Sequence, residues 1–456
     1  MTSRRVLAVR RLSGRSSDPL LAAAVLVDRY GLAVLASREP NAAYGRFSFV
    51  AAEPDAEVTS IDPFAGGPAE SDAGPFGFAP RFIGVVPFEA RRPALERPAW
   101  SKPDTRPKPA LTAVRWLRYP AVVVFDHARD EVHVVGESDG AARDLETRVV
   151  GAASSLGPRA AFRLQVGCAE DDAAHITRVA RAIELIRAGD LYQVNVARRL
   201  DLTLTNARGG RPGPMETLAV FAALVDGAPS PFGAFLAMPD GARVLSTSPE
   251  LALAADRGPG GASFGALVTE PIKGTRPRGA DAAADARLAA ELDADPKERA
   301  ELAMIVDVER NDLARVCARG SVEVAGPPRV VTHATVHHRV AVVRGLARPD
   351  VSREEVLEAL LPSGSVTGAP KVRAMEVIAA LESARRGLYT GALGYAGWDG
   401  SMRLAMAIRT AVLEPSGAGA YGVGGGIVVD SDPRRELEET LWKSLQLQRI
   451  IHPEPA

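Results

Sequence analysis

Lysine is scarce in this chain of 456 residues. Only 6 lysines stand beside 49 arginines among the 55 basic side chains. The two are chemically different, because a guanidinium stays charged whereas a desolvated amine can lose its proton and act as a nucleophile. Two of the lysines, Lys102 and Lys108, lie in a proline-rich stretch. The other four are spread over the second half of the chain: Lys273, Lys297, Lys371 and Lys443.

Other features are also missing, and each absence excludes a class of protein. A formal net charge of -1 with no basic run argues against nucleic-acid binding. The chain has no uninterrupted run of about 18 apolar residues, which a membrane span would need. The basic start of the chain lacks the apolar segment of a signal peptide. Its two cysteines, Cys168 and Cys317, show no metal or redox spacing. An apolar fraction of 46% is typical of globular proteins, so we expect a cytoplasmic protein of one large or two unequal domains.

The first part of the chain reads as short strands joined by turns. The segments VLAVRRL, GLAVLAS and GRFSFVAAE have the composition of strands. Residues 91–109 carry five prolines and predict an extended connection. The segments AVVVFD and EVHVVGE then predict a hairpin with its turn at HARD.

The second part mixes helices with strands. Asp171 or Asp172 predicts the start of a helix with apolar residues at a spacing of three to four, and the alternating segment DLYQVNVARRLDLTL follows as a strand. Further helices are predicted at 215–226, 281–294, 296–317, 353–361, 369–385 and 433–450. Because many neighbouring strands read as hairpins, the pattern favours an α+β fold over a doubly wound parallel sheet.

Two predicted helices carry paired carboxylates. Glu298 and Glu301 are three residues apart and share a helix face, and Glu436 and Glu439 repeat this spacing. Two such helices could hold a hard cation such as Mg²⁺ through one or two carboxylates and water. The alternative is a solvated charged face, which the spacing alone favours.

Two glycine-containing segments and two isolated ionisable residues are further candidates. Gly422 and Gly424–Gly426 precede IVVD and predict a loop whose N–H groups could hold a carboxylate or phosphate, with a simple tight turn as the alternative. The segment PSGSVTGAPK, with Ser365 and Thr367, is similar. Lys273 is flanked by turn-forming residues, and Glu250 ends a predicted strand, where an acid could point into a cleft.

Taken together, these segments resemble a known family. IKGTRPRG, KERAELAMIVDVERNDLARV, SGSVTGAPKVRAMEVI, YTGALGYAGWDG, AIRT, VGGGIVVDSDPRRELEETLWK and GDLYQVN are similar, in the same order, to the motifs of the chorismate-utilising enzymes. The resemblance implies a catalytic domain at 166–452 and, more faintly, an N-terminal region at 1–165 like that of anthranilate synthase component I. It also implies that fold: mainly antiparallel sheets packed as a sandwich with surrounding helices.

Two positions separate the branches of this family. Isochorismate-forming members carry a lysine that activates water where this chain has Gln193. Anthranilate synthases usually read Pro-Ile-Ala-Gly-Thr where this chain has Lys273, and aminodeoxychorismate synthases usually carry a lysine there. The resemblance therefore implies amination of chorismate at C4 for the synthesis of 4-aminobenzoate and folate. Amination at C2 with loss of pyruvate is the alternative, and a chorismate-binding protein without turnover is a third hypothesis.

The resemblance also implies roles for particular residues. Lys273 would be the nucleophile and Glu250 the acid, and His338 matches the family's histidine, with His337 as the alternative register. Mg²⁺ would be held by Glu301 and Glu439, with Glu298 and Glu436 orienting water around it. The implied substrate-binding residues are Arg409, Lys443, Tyr395, Gly424, Gly425, Gly426, Ser365, Thr367 and Gln193.

The source of nitrogen is implied as well. Neither VGCAED around Cys168 nor RVCARG around Cys317 matches the Gly-x-Cys-x-Gly nucleophile elbow of a glutamine amidotransferase. We therefore expect the chain to use ammonia, either free or delivered by a separate glutamine amidotransferase subunit.

Overall fold

A computed structural model of the chain describes residues 7–12, 18–39, 44–65, 74–90, 104–151, 160–168, 170–259 and 262–451. In this part of the chain, a sheet of twelve strands, a sheet of nine and a sheet of three are surrounded by helices. Neighbouring strands run antiparallel. The predicted α+β class, with mainly antiparallel sheets, is confirmed. Most of the predicted proline-rich connection, residues 91–103, lies outside the described residues.

The strands of the described residues follow in chain order. They are β1 (Ala8–Arg11), β2 (Ala33–Ala36), β3 (Phe47–Ala51), β4 (Ala56–Val58), β5 (Pro80–Val86), β6 (Arg115–Arg118), β7 (Ala121–Asp126), β8 (Glu131–Gly136), β9 (Phe162–Cys168), β10 (Gln193–Asn206), β11 (Phe232–Ala237), β12 (Arg243–Ser248), β13 (Leu251–Arg257), β14 (Phe264–Glu270), β15 (Ile272–Pro277), β16 (Glu323–Val324), β17 (Arg329–Thr332), β18 (Val336–Val340), β19 (Val343–Leu346), β20 (Gly368–Ala369), β21 (Ala392–Gly397), β22 (Met402–Met406), β23 (Thr410–Leu413) and β24 (Ala418–Ile427).

The helices of the described residues lie outside the sheets or between their ends. They are α1 (Pro19–Val25), α2 (Asp139–Gly151), α3 (Asp172–Arg187), α4 (Pro214–Gly227), α5 (Ala282–Ala294), α6 (Pro296–Ala314), α7 (Arg353–Leu360), α8 (Gly364–Thr367), α9 (Lys371–Leu381), α10 (Pro433–Lys443) and α11 (Leu445–Ile451). No helix in this part of the chain is both long and apolar enough to cross a membrane.

The two large sheets pack face to face. The larger has the order β1-β8-β7-β3-β2-β11-β12-β23-β24-β10-β20, with β9 also paired to β10, and the smaller has the order β16-β19-β14-β13-β22-β21-β5-β6-β4. Val122 and Val124 of the larger sheet share one apolar cluster with Ile83 and Leu393 of the smaller. Because side chains alternate along a strand, Val123 faces the opposite side, where helices cover it. Residues 121–125 of this strand are therefore all apolar.

Strands from the first 140 residues are built into both sheets. β3 and β7 belong to the larger sheet, and β5 pairs directly with β21 in the smaller. Each large sheet thus contains strands from both sides of residue 165. The division of the chain at that residue stays a prediction.

Helix positions agree with the periodicity, although some ends differ. Asp171 is the N-cap of α3, and its side chain accepts a hydrogen bond from the N–H of Ala174. The helix predicted at 433–450 is two helices, because the chain turns at Ser444 between α10 and α11. The helix predicted at 369–385 is the shorter α9, with Pro370 as its N-cap residue.

Candidate active site

Lys273 and Glu250 meet through Ser365. Lys273 lies on β15, Glu250 lies between β12 and β13, and Ser365 belongs to α8. The Nζ of Lys273 donates to the backbone carbonyl of Ser365 at 3.4 Å, and the Oγ of Ser365 donates to Oε1 of Glu250 at 2.6 Å. Three segments that are far apart in sequence therefore bring an amine, a hydroxyl and a carboxyl group together.

Glu250 is suited to proton transfer near neutral pH. Burial raises the pKa of its carboxyl group to about 7, against the opposing effects of the Ser365 hydrogen bond and a charged Lys273. A carboxylic acid with this pKa is partly protonated at pH 7, so it can donate a proton and take one back.

His338 lies next to this group, on a strand paired with β15. Its Nδ1 lies 3.0 Å from Oγ1 of Thr275, and its Nε2 is buried with no hydrogen-bond partner in the part of the chain that the structure describes. Burial, and the charges of Arg409 and Lys443, hold the pKa of this imidazole well below its usual value. His338 is therefore neutral at pH 7.

His337 occupies the other face of the same strand. Its Nε2 lies 2.9 Å from Oδ1 of Asp285, and its Nδ1 lies 2.9 Å from Oγ1 of Thr332. Both ring nitrogens are thus bound to protein groups. Of the two registers that the sequence left open, the structure places His338 beside the candidate site.

The glycine-rich segment is a strand, so the predicted loop is wrong. Gly422 and Gly424–Gly426 belong to β24, and Gly424, Gly425 and Gly426 pair with Ala197, Val196 and Asn195 of β10. The expected strand after them ends at Ile427. The main effect of these glycines is therefore to leave this part of the strand without side chains. They do not form a ring of free N–H groups.

Because Gly426 has no side chain, the side chains of two other predicted site residues lie close to its backbone. A Cβ atom at Gly426 would lie 2.4 Å from Nε2 of Gln193 and 3.3 Å from Nζ of Lys273. Gln193 is fully buried, and neither its Nε2 nor its Oε1 has a hydrogen-bond partner among the described residues. Unpartnered buried amides are rare, so this amide is suited to bind a polar ligand beside Lys273.

The four predicted metal-binding glutamates lie on α6 and α10, but they do not form a closed cage. Among the described residues, no three carboxylate, histidine or cysteine side chains converge as a metal site. Lys297 of α6 interacts electrostatically with both Glu436 and Glu439 of α10, so the two helices lie within electrostatic reach of each other. The nearest basic partner of Glu301 is Lys297 at 3.7 Å, and that of Glu298 is Arg276 at 3.6 Å.

The α10 carboxylates have different surroundings. Oε1 of Glu436 accepts from Oγ of Ser431 at 2.7 Å, whereas its Oε2 is buried without a partner. Burial and the neighbouring Glu439 raise the pKa of Glu436. Although burial acts to raise the pKa of Glu439 too, the Lys443 ammonium 2.6 Å away holds it below its usual value. A cation would satisfy the orphaned oxygen of Glu436 and reduce the repulsion within this pair.

The two predicted carboxylate partners differ in availability. Lys443 donates to the carbonyl of Gly424 at 2.7 Å and pairs with Glu439, so its ammonium is already engaged. Arg409 is half-buried with a left-handed φ of 51°, and no hydrogen bond or ion pair joins its guanidinium to another described residue. Its charge lowers the pKa of His338, so Arg409 lies near the candidate site. Arg409 is the better placed of the two to bind a carboxylate.

Two predicted residues lie apart from this group. Oγ1 of Thr367 donates to the carbonyl of Ser363 at 2.9 Å, which satisfies it within its own short helix. The ring of Tyr395 lies 5.2 Å from that of Phe49, in the core between the two sheets. Among the described residues, no hydrogen bond joins either hydroxyl group to Lys273, Glu250 or His338.

Tyr389, which the sequence did not indicate as a site residue, lies close to two of the predicted segments, β24 and α10. A Cβ atom at Gly422 would lie 2.2 Å from its ring, and its hydroxyl is within electrostatic reach of Glu439. The available signal was the motif YTGALGY, which contains two tyrosines six residues apart.

Lys371 forms a second buried charge cluster behind the site, with Asp312 and Glu309 of α6. Its Nζ pairs with Asp312, and Oε1 of Glu309 accepts from Oγ of Ser363 at 2.6 Å. All three side chains are buried. The cluster joins α6 to α9 and to the segment that carries Ser365.

Loss of Lys371 should therefore cost stability. In Lys371→Met, two buried carboxyl groups lose this cation, and we expect the free energy of unfolding to fall by about 3–5 kcal/mol. Denaturant unfolding followed by circular dichroism measures the change. Lys108→Met, at an exposed position, is the control and should change the same free energy by less than about 0.5 kcal/mol. Equal stability of the two variants would contradict the assignment.

The chain is similar to known proteins over most of its length. A family model described as chorismate binding enzyme matches residues 44–449. Anthranilate synthase component 1 of Thermus thermophilus is 38% identical over 388 residues, covering 82% of this chain and 78% of that protein. The aminodeoxychorismate synthase of Streptomyces pristinaespiralis is 45% identical over 262 residues, covering 57% of this chain and 34% of that protein.

Solved structures show the same fold. Anthranilate synthase component I from Streptococcus pneumoniae superimposes with a TM-score of 0.72 at 28% identity, covering 87% of this chain and 91% of that one. The menaquinone-specific isochorismate synthase of Escherichia coli gives 0.73 at 19% identity, covering 98% and 94%. The chain belongs to the family of chorismate-binding enzymes. Within that family, it is an enzyme of the component I type found in anthranilate and aminodeoxychorismate synthases.

Proposed function

We propose that the chain is component I of an aminodeoxychorismate synthase, which converts chorismate and ammonia to 4-amino-4-deoxychorismate and water. The observation that carries this proposal is the position of Lys273. Its amine lies beside the bare strand at Gly426, within reach of the Ser365 carbonyl and in the electrostatic field of Glu250. An amine so placed can attack a bound ring as a nucleophile once it is deprotonated.

In the first step, the neutral amine of Lys273 forms a bond to C2 of chorismate. The ring double bonds shift, the C4–O bond breaks, and the hydroxyl leaves as water after Glu250 gives it a proton. The raised pKa of Glu250 makes this proton available near neutral pH. The guanidinium of Arg409, which no described residue engages in a hydrogen bond or ion pair, is proposed to bind a substrate carboxylate.

In the second step, ammonia forms a bond to C4 and the double bonds shift back. The C2–N bond breaks and its electron pair returns to Lys273. The Glu250 carboxylate takes the excess proton from the new amino group, which restores both residues. We propose that a separate glutamine amidotransferase subunit supplies the ammonia.

Mg²⁺ is part of the proposal, because the α6 and α10 carboxylates have the right chemistry for it. A hard cation bound through one or two carboxylates and water does not need a cage of protein ligands. Glu301 and Glu439 would hold it, with Glu298 and Glu436 orienting its water. When bound, the ion would neutralise a carboxylate of the substrate.

The magnesium requirement is directly testable. Activity with ammonia should be lost in excess EDTA and return when Mg²⁺ is added. In Glu439→Gln, one anionic ligand is removed, so we expect the Mg²⁺ concentration that gives half-maximal activity to rise at least about tenfold. Glu438→Gln, a neighbouring residue outside the predicted set, is the matched control. Activity that survives EDTA would exclude the proposed cation.

The product distinguishes the proposal from its alternative. Amination at C2 with loss of pyruvate is supported by the relatives named anthranilate synthase, and it would give fluorescent anthranilate directly. We expect chorismate, Mg²⁺ and ammonia to give no anthranilate, and to give 4-aminobenzoate only after an aminodeoxychorismate lyase is added. Anthranilate formed without the lyase would overturn C4 amination.

A further inference from the structure

The hairpin that carries His338 is attached to the N-terminal part of the chain through its turn. β17 and β18 form this hairpin, and residues 333–335 connect them. Oε2 of Glu39 lies 2.6 Å from Nδ1 of His333, and its Oε1 accepts the N–H of Ala334 at 3.2 Å. One carboxylate from beyond the end of β2 therefore binds both a side chain and the backbone of the turn.

The ring of His333 in turn contacts the ring of His338. Its ring lies edge-on to that of His338, with centroids 5.4 Å apart and planes at 63°. Thr275 holds Nδ1 of His338 at 3.0 Å. The imidazole of His338 is thus held by packing against His333 and by a hydrogen bond from β15, while its Nε2 stays without a protein partner.

We propose that Glu39 and His333 are positioning residues that set the orientation of the His338 ring towards the substrate. Glu39 fixes the ring of His333, and that ring limits the rotation of His338. The side chains of Glu39 and His333 are only 12% and 11% exposed, so water does little to weaken their contact. The carboxylate of Glu39 also interacts electrostatically with Arg409, the residue proposed to bind a substrate carboxylate.

This inference rests on the proposed placement of His338 at the reaction centre, but not on which carbon is aminated. Its readout is therefore the consumption of chorismate, which C4 and C2 amination share. The strand also offers a matched control, because His337 and Asp285 form a similar pair at 2.9 Å on the opposite face. Asp285→Asn disturbs a carboxylate–imidazole contact of the same sheet without touching His338.

The experiment compares the steady-state kinetics of chorismate consumption in Glu39→Gln, His333→Phe, the double variant and Asp285→Asn. Phenylalanine keeps the ring packing but cannot bind Glu39. We expect each single variant to lower kcat about tenfold with KM within twofold of the parent, as loss of catalytic orientation does. The double variant should lose little more than either single one, because both act through one contact. The nitrogen chemical shifts of His338 should also change, and the changes should be alike in the two single variants.

Asp285→Asn separates positioning from stability. We expect it to lower the melting temperature while its kcat, per folded enzyme, stays near the parent value. Three outcomes would overturn the inference: unchanged kcat in Glu39→Gln and His333→Phe, a fall in kcat that Asp285→Asn shares, or fully additive losses in the double variant. Formation of anthranilate in all variants would overturn the proposed function while leaving this inference intact.

Discussion

Replacement of Lys273 by alanine should abolish the formation of 4-amino-4-deoxychorismate, with a loss on the order of 10³-fold or more, as expected when a covalent nucleophile is removed. The amine is one of only 6 in the chain, and it lies 3.3 Å from the position that a Cβ atom on Gly426 would occupy. Three other lysines pair with a carboxylate: Lys371 with Asp312, Lys443 with Glu439 and Lys297 with Glu301. Coupled assay of 4-aminobenzoate with an added lyase measures the loss.

Two variants test whether the amine acts as a nucleophile or only as a charge. Lys273→Arg keeps the positive charge but not a nucleophilic amine, and it should be as inactive as the alanine variant. Lys108→Ala, at an exposed position, should keep full activity. Binding of chorismate to the inactive variants, measured by calorimetry, confirms that the pocket is intact.

The covalent step has its own signature. When chorismate is supplied without ammonia, the second step is blocked, and mass spectrometry of the denatured enzyme should show chorismate minus water attached to the peptide that contains Lys273. The adduct should be missing in Lys273→Arg. Full activity in either Lys273 variant would contradict the covalent route.

Glu250→Gln should have the second largest effect. Glutamine cannot give a proton to the leaving hydroxyl, and loss of general acid catalysis typically costs about 10²–10⁴-fold in kcat. The parent enzyme should also show the titration of this group. Because burial raises the pKa of Glu250 to about 7, its acid form decreases above that pH, and the acid-dependent step should slow about tenfold per pH unit. Rate profiles between pH 6 and pH 9, with the concentration of free ammonia held constant, measure this.

Glu270 provides the control for this experiment. It ends β14, burial raises the pKa of its carboxyl group as well, and its basic neighbour is Arg329 rather than Lys273. Glu270→Gln should keep both the rate and the alkaline decrease. If Glu250→Gln kept the decrease, some other group would be the acid.

Local pattern predicted much of this molecule. The segments AVVVFD and EVHVVGE on either side of the turn HARD predicted β7 and β8, and the spacing of apolar residues predicted α3. The motifs that contain Lys273, Glu250 and Ser365 identified three groups that the structure joins by hydrogen bonds. These features depend on residues near one another in sequence, or on motifs that carry the chemistry themselves.

The predicted loop was wrong because local pattern has no information at that segment. In Gly424–Gly426 there are no side chains to alternate, so a strand looks like a loop, and only the pairing with β10 decides. Tyr389 and Tyr395 lie in one motif, but the sequence does not show that the second ring packs against Phe49, more than 300 positions earlier. The unpaired state of Arg409 and the engagement of Lys443 with Gly424 likewise depend on the assembled site.

The interleaving of the sheets has a consequence for how the chain reaches its folded state. Ile83 pairs with Tyr395, and Leu200 pairs with Tyr421, so each large sheet closes only when distant segments meet. Proteins dominated by such non-local pairings fold slowly, and their unpaired strand edges are open to aggregation meanwhile. During synthesis, β5 and β10 therefore leave the ribosome long before β21 and β24, the later strands with which they pair, have been made. We therefore expect the pocket around Lys273 to form only after the whole chain has left the ribosome, and not stepwise from the N-terminus.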